Sequence, residues 1–386
     1  MAPKILTHEF LLISSAQMVF TAVFFALMPT IPIYLSRQGI REAEIGVLVG
    51  VFIVASLVTK PFVGRALLRI PERKFLIAGS LVTAVCCISY LYAPPFFPLF
   101  VLRTIQGIGF AFFLTASFTL VFNMTPETHH GQAISYFYLA SNVATALAPA
   151  IGMFLINQFD FAVLFLGCAA LSLFSLSVTL RLGKIQGVPR DPQTVKSQSF
   201  LNREALPLGI MGLISNNIWG AINAFFPLFA VSHGVTNPGI LFTVFAAVLI
   251  LGRGFGGKIL DNYPKDKIMI PCLAAQIIAM TTLAFSTTLP MFLVAAVIWG
   301  MGNAFLYPVM MASAIERAGG SRGPAIATYT AFTDLGTGMG SVIMGIVIQW
   351  TSYRTMFLCL ACMSLMNLFY FNFFVKKKGA EEYAHL

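Results

Sequence analysis

Charge is what this sequence has least of. Asp, Glu, Lys and Arg make up 10% of its 386 residues, against 58% hydrophobic, where a soluble chain carries about 25% charged residues. Together with a mean hydropathy of +0.84, this excludes a water-soluble globule and requires lipid as the solvent. Cysteine is sparse too. Cys86, Cys87, Cys168, Cys272, Cys359 and Cys362 all fall in apolar stretches, with no CxxC pair in a loop. That excludes a disulfide framework or zinc ribbon and predicts buried packing. Adjacent His129 and His130 do not complete a metal shell by themselves. A GxxxxGK(S/T) loop is missing, which argues against a pump with its own ATPase. HExxH, GxSxG and paired intramembrane carboxylates are missing as well, so neither an enzyme, catalytic residues nor a cofactor is expected. No loop or tail is long enough for a receptor's sensing domain.

Long apolar runs are what the sequence has instead. Breaks at charged and Pro/Gly-rich positions delimit twelve spans: 9–35, 44–66, 75–93, 97–123, 131–157, 160–181, 205–231, 237–260, 268–288, 290–314, 323–349 and 354–375. Each is near the ~20 residues that cross a bilayer as a helix. Uninterrupted runs satisfy their backbone internally, whereas barrel strands would alternate. The first run is too long for a signal-peptide core and is expected to be retained.

With the amino terminus inside, the outward loops carry Arg37, Arg41 and Arg354. The inward loops and adjoining span ends carry most of the rest, among them Arg65, Arg69, Arg73, Lys74, Arg181, Lys184, Lys258, Lys265, Lys267, Arg317, Arg322 and Lys376 to Lys378. This positive-inside bias predicts a multi-pass protein of the cell's inner (plasma) membrane with both termini cytoplasmic. It accounts for the formal charge of +10 without nucleic acid.

Sliding the chain on itself by 193 positions superposes Phe52 on Phe245, Lys60 on Arg253, Gly64 on Gly257, Pro71 on Pro264, and Gly107 and Gly109 on Gly300 and Gly302. One position fewer brings Gly131 onto Gly323 and Asn142 onto Asp334. The fold class expected is therefore all-α integral membrane, twelve transmembrane helices in two parallel six-helix pseudo-repeats. Residues 1–181 form the N-terminal bundle, 182–204 a polar cytoplasmic linker, and 205–386 the C-terminal bundle. Parallel halves about the membrane normal organise a large class of transporters, with substrate held near the midplane.

Within the fourth span, Arg103-Thr104-Ile105-Gln106-Gly107-Ile108-Gly109 resembles the RxxQGxG motif of the major facilitator superfamily. The resemblance extends over essentially the whole chain. Arg103 lies about 9 Å inside the outer end at 1.5 Å per residue. A charge at that depth costs a few kcal/mol unless it faces a cavity or partner or snorkels outward. Gln106, one turn on, can share its face.

Gly64, Leu68, Arg69, Pro71, Glu72, Arg73 and Lys74 resemble the family's gating loop GxxxDRxGRR, with Leu68 in place of the acidic residue and Pro71 in place of a glycine. The second half keeps an acid in Gly257-Lys258-Ile259-Leu260-Asp261, followed by Lys265 and Lys267. Gly64 is expected to allow close helix approach. Gly64, Arg69, Arg73, Asp261 and Lys265 are the gating candidates, Asp261 being the acidic member of any charge latch. The stretch from Ala144 through Ala148, Pro149 and Ala150 to Gly152 resembles the family's antiporter motif GxxxGPxxGG with two glycines relaxed to alanine. Its small residues suit tight helix crossing and its proline a bend. Pro126-Glu127 with Gly131 and Ala133 resembles the PExxxGxA turn of twelve-helix drug:proton antiporters and efflux permeases, and suits the start of the fifth span.

In the eleventh span, Asp334 follows Thr333 and precedes Gly336, Gly338 and Gly340, about 18 Å from the inner end and near the bilayer centre. An ionised carboxylate there should have a raised pKa or pair with a cation, which suits proton coupling. Asp334 and Arg103 are the coupling candidates. Gln17, Gln106, Asn142, Asn216, Asn217, Asn223, Asn303 and Tyr307 are the substrate-cavity candidates, although such amides also bond between helices. With Tyr136, Tyr138, Trp299 and Tyr329, they describe a mixed aromatic and amide lining, suited to an amphipathic or uncharged organic solute.

The resemblance implies a monomeric secondary transporter working by alternating access, with a small-molecule substrate and protons as partners in a lipid bilayer. Its helix-5 motif favours efflux. A proton symporter importing a metabolite and a lipid-translocating facilitator are the alternatives.

Overall fold

The computed structural model describes residues 7–94, 96–125, 130–183, 202–318 and 322–376, without the side chains of 130–132, 134, 135, 254–262, 322 and 323. Among the described residues there are twelve helices and no strand. In chain order they are α1 His8–Arg37, α2 Glu42–Ala66, α3 Glu72–Ser89, α4 Phe97–Met124, α5 His130–Gln158, α6 Phe161–Leu180, α7 Leu206–Ser232, α8 Gly239–Asn262, α9 Lys265–Phe285, α10 Leu289–Arg317, α11 Arg322–Trp350 and α12 Tyr353–Tyr370. The last runs into a π-helical turn, Phe371–Val375. The helix ends fall within a few residues of the spans read from hydropathy.

The starts and stops follow local chemistry. Thr7, Asp160 and Ser352 cap α1, α6 and α12 by accepting from the backbone N–H of Phe10, Val163 and Thr355. Such caps satisfy donors that the first helical turn leaves open. Gly39 and Gly234 both adopt φ +77°, where a side chain would be strained. They end α1 and α7 alike: Ile40 N–H donates to Leu35 at 3.2 Å, and Val235 N–H to Ala230 at 3.0 Å, the backward bond of a Schellman motif.

Nine helices are long and apolar enough to cross a membrane among the described residues. Of the other three, α3 opens on Glu72-Arg73-Lys74, α7 carries Asn216, Asn217 and Asn223, and α8 contributes a shorter apolar stretch, Gly239–Arg253.

The chain divides into two compact units, Met1–Ile40 with Val51–Ser197, and Arg41–Gly50 with Gln198–Leu386. Most of the linker expected at 182–204 lies outside the described residues. In the first unit, α1 packs on α5 and α6, and α3 on α4 and α6. In the second, α7 packs on α11 and α12, and α9 on α10 and α12.

The packing scheme repeats in atomic detail at the 193-residue offset. A Cβ on Gly107 would overlap the Phe52 carbonyl, and one on Gly109 would meet Val82. Likewise Gly300 faces the Phe245 carbonyl at 3.3 Å, and Gly302 faces Ala275 at 3.0 Å. Phe245 and Ala275 are Phe52 and Val82 displaced by 193. Lipid tails are as apolar as leucine, so helices associate in a bilayer through close contact of small residues and interhelical hydrogen bonds. Both halves place their glycines for that.

Ring stacking fills the first core, where Phe20 and Phe113 lie 3.9 Å apart. Four cysteines are buried as expected, but Cys359 is half-buried and Cys362 exposed. They lie on α12, where an apolar surface facing lipid is as favourable as one facing protein, so span membership alone does not bury them.

Candidate functional site

Arg103 projects from α4 into the first unit and is 7% exposed, so it does not snorkel outward. Its guanidinium lies 4.5 Å over the Phe52 ring, a cation–π arrangement. Its Nη1 donates to Gln106 Oε1 at 2.9 Å, and the same oxygen accepts from the Tyr90 hydroxyl at 2.7 Å. Arg103 and Gln106 line a narrow, largely apolar cleft with Phe20, Phe24, Phe52, Thr83 and Phe110. Two sequence candidates thus meet at one place.

Gln17 does not join them. It is 1% exposed, and its amide ties three helices together. Nε2 donates to Thr21 at 3.2 Å and to Ser141 at 3.4 Å, while Oε1 accepts from Ser117 at 2.9 Å. The structure therefore makes Gln17 an α1–α4–α5 cross-link. Asn142 of α5 is half-exposed.

In the second unit, the amides of Asn216, Asn217, Asn223 and Asn303 donate to the carbonyls of Gly212, Leu213, Trp219 and Trp299, one turn back on their own helices. Asn216 and Asn303 are half-buried, whereas Asn217 and Asn223 are buried with acceptor oxygens that have no partner among the described residues. Tyr307 packs edge-on against Tyr329. Tyr136 and Tyr138 are exposed on α5 and add nothing to an interior lining.

Asp334 is half-buried on α11, twelve residues beyond Arg322 and sixteen before Trp350. Every other described acidic residue sits at a helix end or just outside one. Around it, α11 and α7 press together. Cβ atoms on Gly336 and Gly340 would overlap the carbonyls of Leu213 and Asn217, and one on Gly212 would come 2.7 Å from Thr333. The carboxylate is thus held on a closely packed helix pair.

The gating candidates are scattered. Open space surrounds the Cβ position of Gly64, so the close approach expected there is not made; Arg69 is exposed. Arg73 donates to the Leu180 carbonyl at the end of α6. Lys265 is ion-paired with Glu316, while Asp261 falls on α8 with its side chain outside the described residues, as do Pro126 and Glu127. At the 193 offset the Lys265–Glu316 pair corresponds to the Glu72–Asn123 hydrogen bond. Both contacts join the start of one helix to the end of the next. In α5, Gly152 rests on the Ala26 backbone, a Cβ there lying 2.7 Å from its carbonyl, with Ala148 and Pro149 buried beside it.

Reading the sequence missed one pairing. Trp219-Gly220 precedes Asn223 on α7, and Trp299-Gly300 precedes Asn303 on α10. The two indole rings pack 5.3 Å apart, each with its asparagine bonded to the tryptophan's own carbonyl. The repeated WGxxN spacing was the available signal.

Comparison with known proteins agrees with this architecture. Over 381 residues, covering 93% of this chain and 94% of the relative, the sequence is 26% identical to the staphylopine export protein of Staphylococcus aureus. An uncharacterised MFS-type transporter of Salmonella typhimurium is 26% identical over 87% of this chain and 89% of its own. Among solved structures, the nucleoside transporter NupG matches with a TM-score of 0.77 at 15% identity, over 95% of this chain and 98% of that one. A POT family transporter matches at 0.80 and 12%, over 95% and 96%. At those identities the structures attest the fold alone. The Major Facilitator Superfamily itself matches residues 13–237 and again 208–384, once for each half of the repeat, and the chain belongs to that superfamily as a multi-pass membrane transporter.

Proposed function

We propose that this transporter exports a small organic molecule in exchange for protons, by alternating access, from a cell's inner membrane with both termini in the cytoplasm. The observation that carries the reading is Asp334, the one described carboxylate far from a helix end, half-buried on α11. A permanent charge at that depth costs a few kcal/mol, and a structural role would be met as well by an amide. A carboxylic acid adds the capacity to take a proton from one side and give it up on the other.

The direction is supported by the exporter from Staphylococcus aureus, which matches nearly end to end, and by the α5–α1 crossing at Gly152 in the antiporter-like motif. Arg103 fits a coupling role through its field only, since a guanidinium does not deprotonate in proteins. Asp334 is the proton carrier. The basic residues around α2–α3 and α8–α9, with Asp261, bias the cytoplasmic gate.

Inside-out vesicles with an acidic lumen test the reading. Exported solutes accumulate and dissipate part of the pH gradient. Accumulation with no proton movement, for every solute carried, removes the antiport assignment.

A further inference from the structure

Four features meet in the cleft of the first unit. Arg103 is the only charged residue among those lining it. Its guanidinium is oriented from two directions, by Gln106 at its edge and the Phe52 ring at its face. Thr83 lines the same cleft, 4% exposed, and its hydroxyl has no hydrogen-bond partner among the described residues. Phe20, Phe24 and Phe110 supply an apolar wall.

The second half shows what the same helix arrangement does without this chemistry. Displaced by 193, Arg103 becomes Ala296, Thr83 becomes Gln276 and Gln106 becomes Trp299. There the indole of Trp299 packs 4.2 Å from Phe245, the counterpart of Phe52. The glycine contacts that set the helix spacing are retained in both halves. The scaffold thus tolerates an aromatic plug at this position, and the first half holds an oriented cation instead.

We infer that this cleft takes the carboxylate end of an organic anion, with Arg103 as its planar counter-charge, Thr83 as a second donor, and the phenylalanines against the adjoining aryl or alkyl group. A guanidinium fork matches a carboxylate in geometry and charge, and fixing it beforehand lowers the ordering cost of binding. One cation and one hydroxyl suit a monoanionic group. The inference deepens the proposed function by naming the substrate class as organic carboxylate rather than uncharged solute.

The test uses the full chain in lipid nanodiscs and two matched probes, 3-phenylpropanoate and 3-phenylpropanamide, measured by equilibrium dialysis. The acid should bind at least about tenfold tighter than the amide. Arg103→Gln should erase that preference and Arg103→Lys restore part of it. Thr83→Val should weaken the acid by roughly threefold. Should Arg103→Gln fail to fold, the acid–amide comparison and Thr83→Val carry the decision. Equal or absent binding of the two probes, or a preference that survives in folded Arg103→Gln protein, overturns the assignment. Arg103-dependent carboxylate binding without proton-driven transport in vesicles would leave the site standing and sink the antiport reading alone.

Discussion

Trp299 packs 4.2 Å from Phe245 where the first half sets Arg103 4.5 Å over Phe52. One backbone arrangement thus serves a structural aromatic stack in one repeat and an oriented cation in the other. Trp299 is 2% exposed, and its indole N–H has no hydrogen-bond partner among the described residues. Its contribution is therefore ring packing. Trp299→Ala should lower stability by about 3 kcal/mol through the cavity it leaves. Trp299→Phe should cost under about 1.5 kcal/mol, because it keeps a ring and removes an unmet donor. With Cys359 and Cys362 replaced by alanine, the rate of thiol labelling on heating reads both, since the remaining cysteines, Cys86, Cys87, Cys168 and Cys272, are buried and react only on unfolding.

The glycines divide into those that hold helices together and those that do not. A Cβ on Gly220 would overlap the Thr337 carbonyl, whereas one on Gly64 meets nothing within 4 Å. Gly220→Ala should force α7 and α11 apart and cost roughly 1–3 kcal/mol. Gly64→Ala should be neutral, or stabilising by up to about 1 kcal/mol from helix propensity. The same labelling assay compares them, and a destabilised Gly64→Ala would mean that a contact forms there in another state of the transport cycle.

Gln17 separates a cross-link from a binding residue. Interhelical hydrogen bonds in membranes average about 0.6 kcal/mol each, so losing the two that Gln17 makes to α5 and α4 should cost about 1 kcal/mol. Gln17→Leu should therefore lower thermal stability while leaving the KM for any transported solute within about twofold. A large rise in KM at unchanged stability would return Gln17 to the cavity.

These outcomes show what the sequence could carry. The twelve helices and the repeat were legible because hydropathy and the 193-residue offset need no knowledge of which side of a helix faces where. Rotational phase was not legible. A soluble helix shows its buried face by contrast with a polar one, but in a bilayer both lipid-facing and protein-facing sides are apolar. Hence Gln17 read the same as Gln106, although one is spent on cross-links and the other lines a cleft. Gly64 read the same as Gly107 for that reason too, and Cys362 the same as Cys87. The meeting of Trp219 and Trp299 required two helices to be brought together.

Asp334 yields the most direct test of coupling. Asparagine keeps the shape and hydrogen-bonding capacity of the carboxylate but cannot exchange a proton, so Asp334→Asn retains whatever packing role the residue has on α11. If Asp334 carries the proton, the variant should bind solute and exchange it down its gradient at near-normal rates, with uphill accumulation driven by the pH gradient lost. Its downhill rate should also become insensitive to pH across the range in which the wild-type rate varies. Asp334→Glu retains the titrating group on a longer side chain, and should keep coupled transport at a reduced rate. If Asp334→Asn still concentrates solute against its gradient, the carboxylate is structural, and the coupling group must be sought elsewhere, first at Asp261.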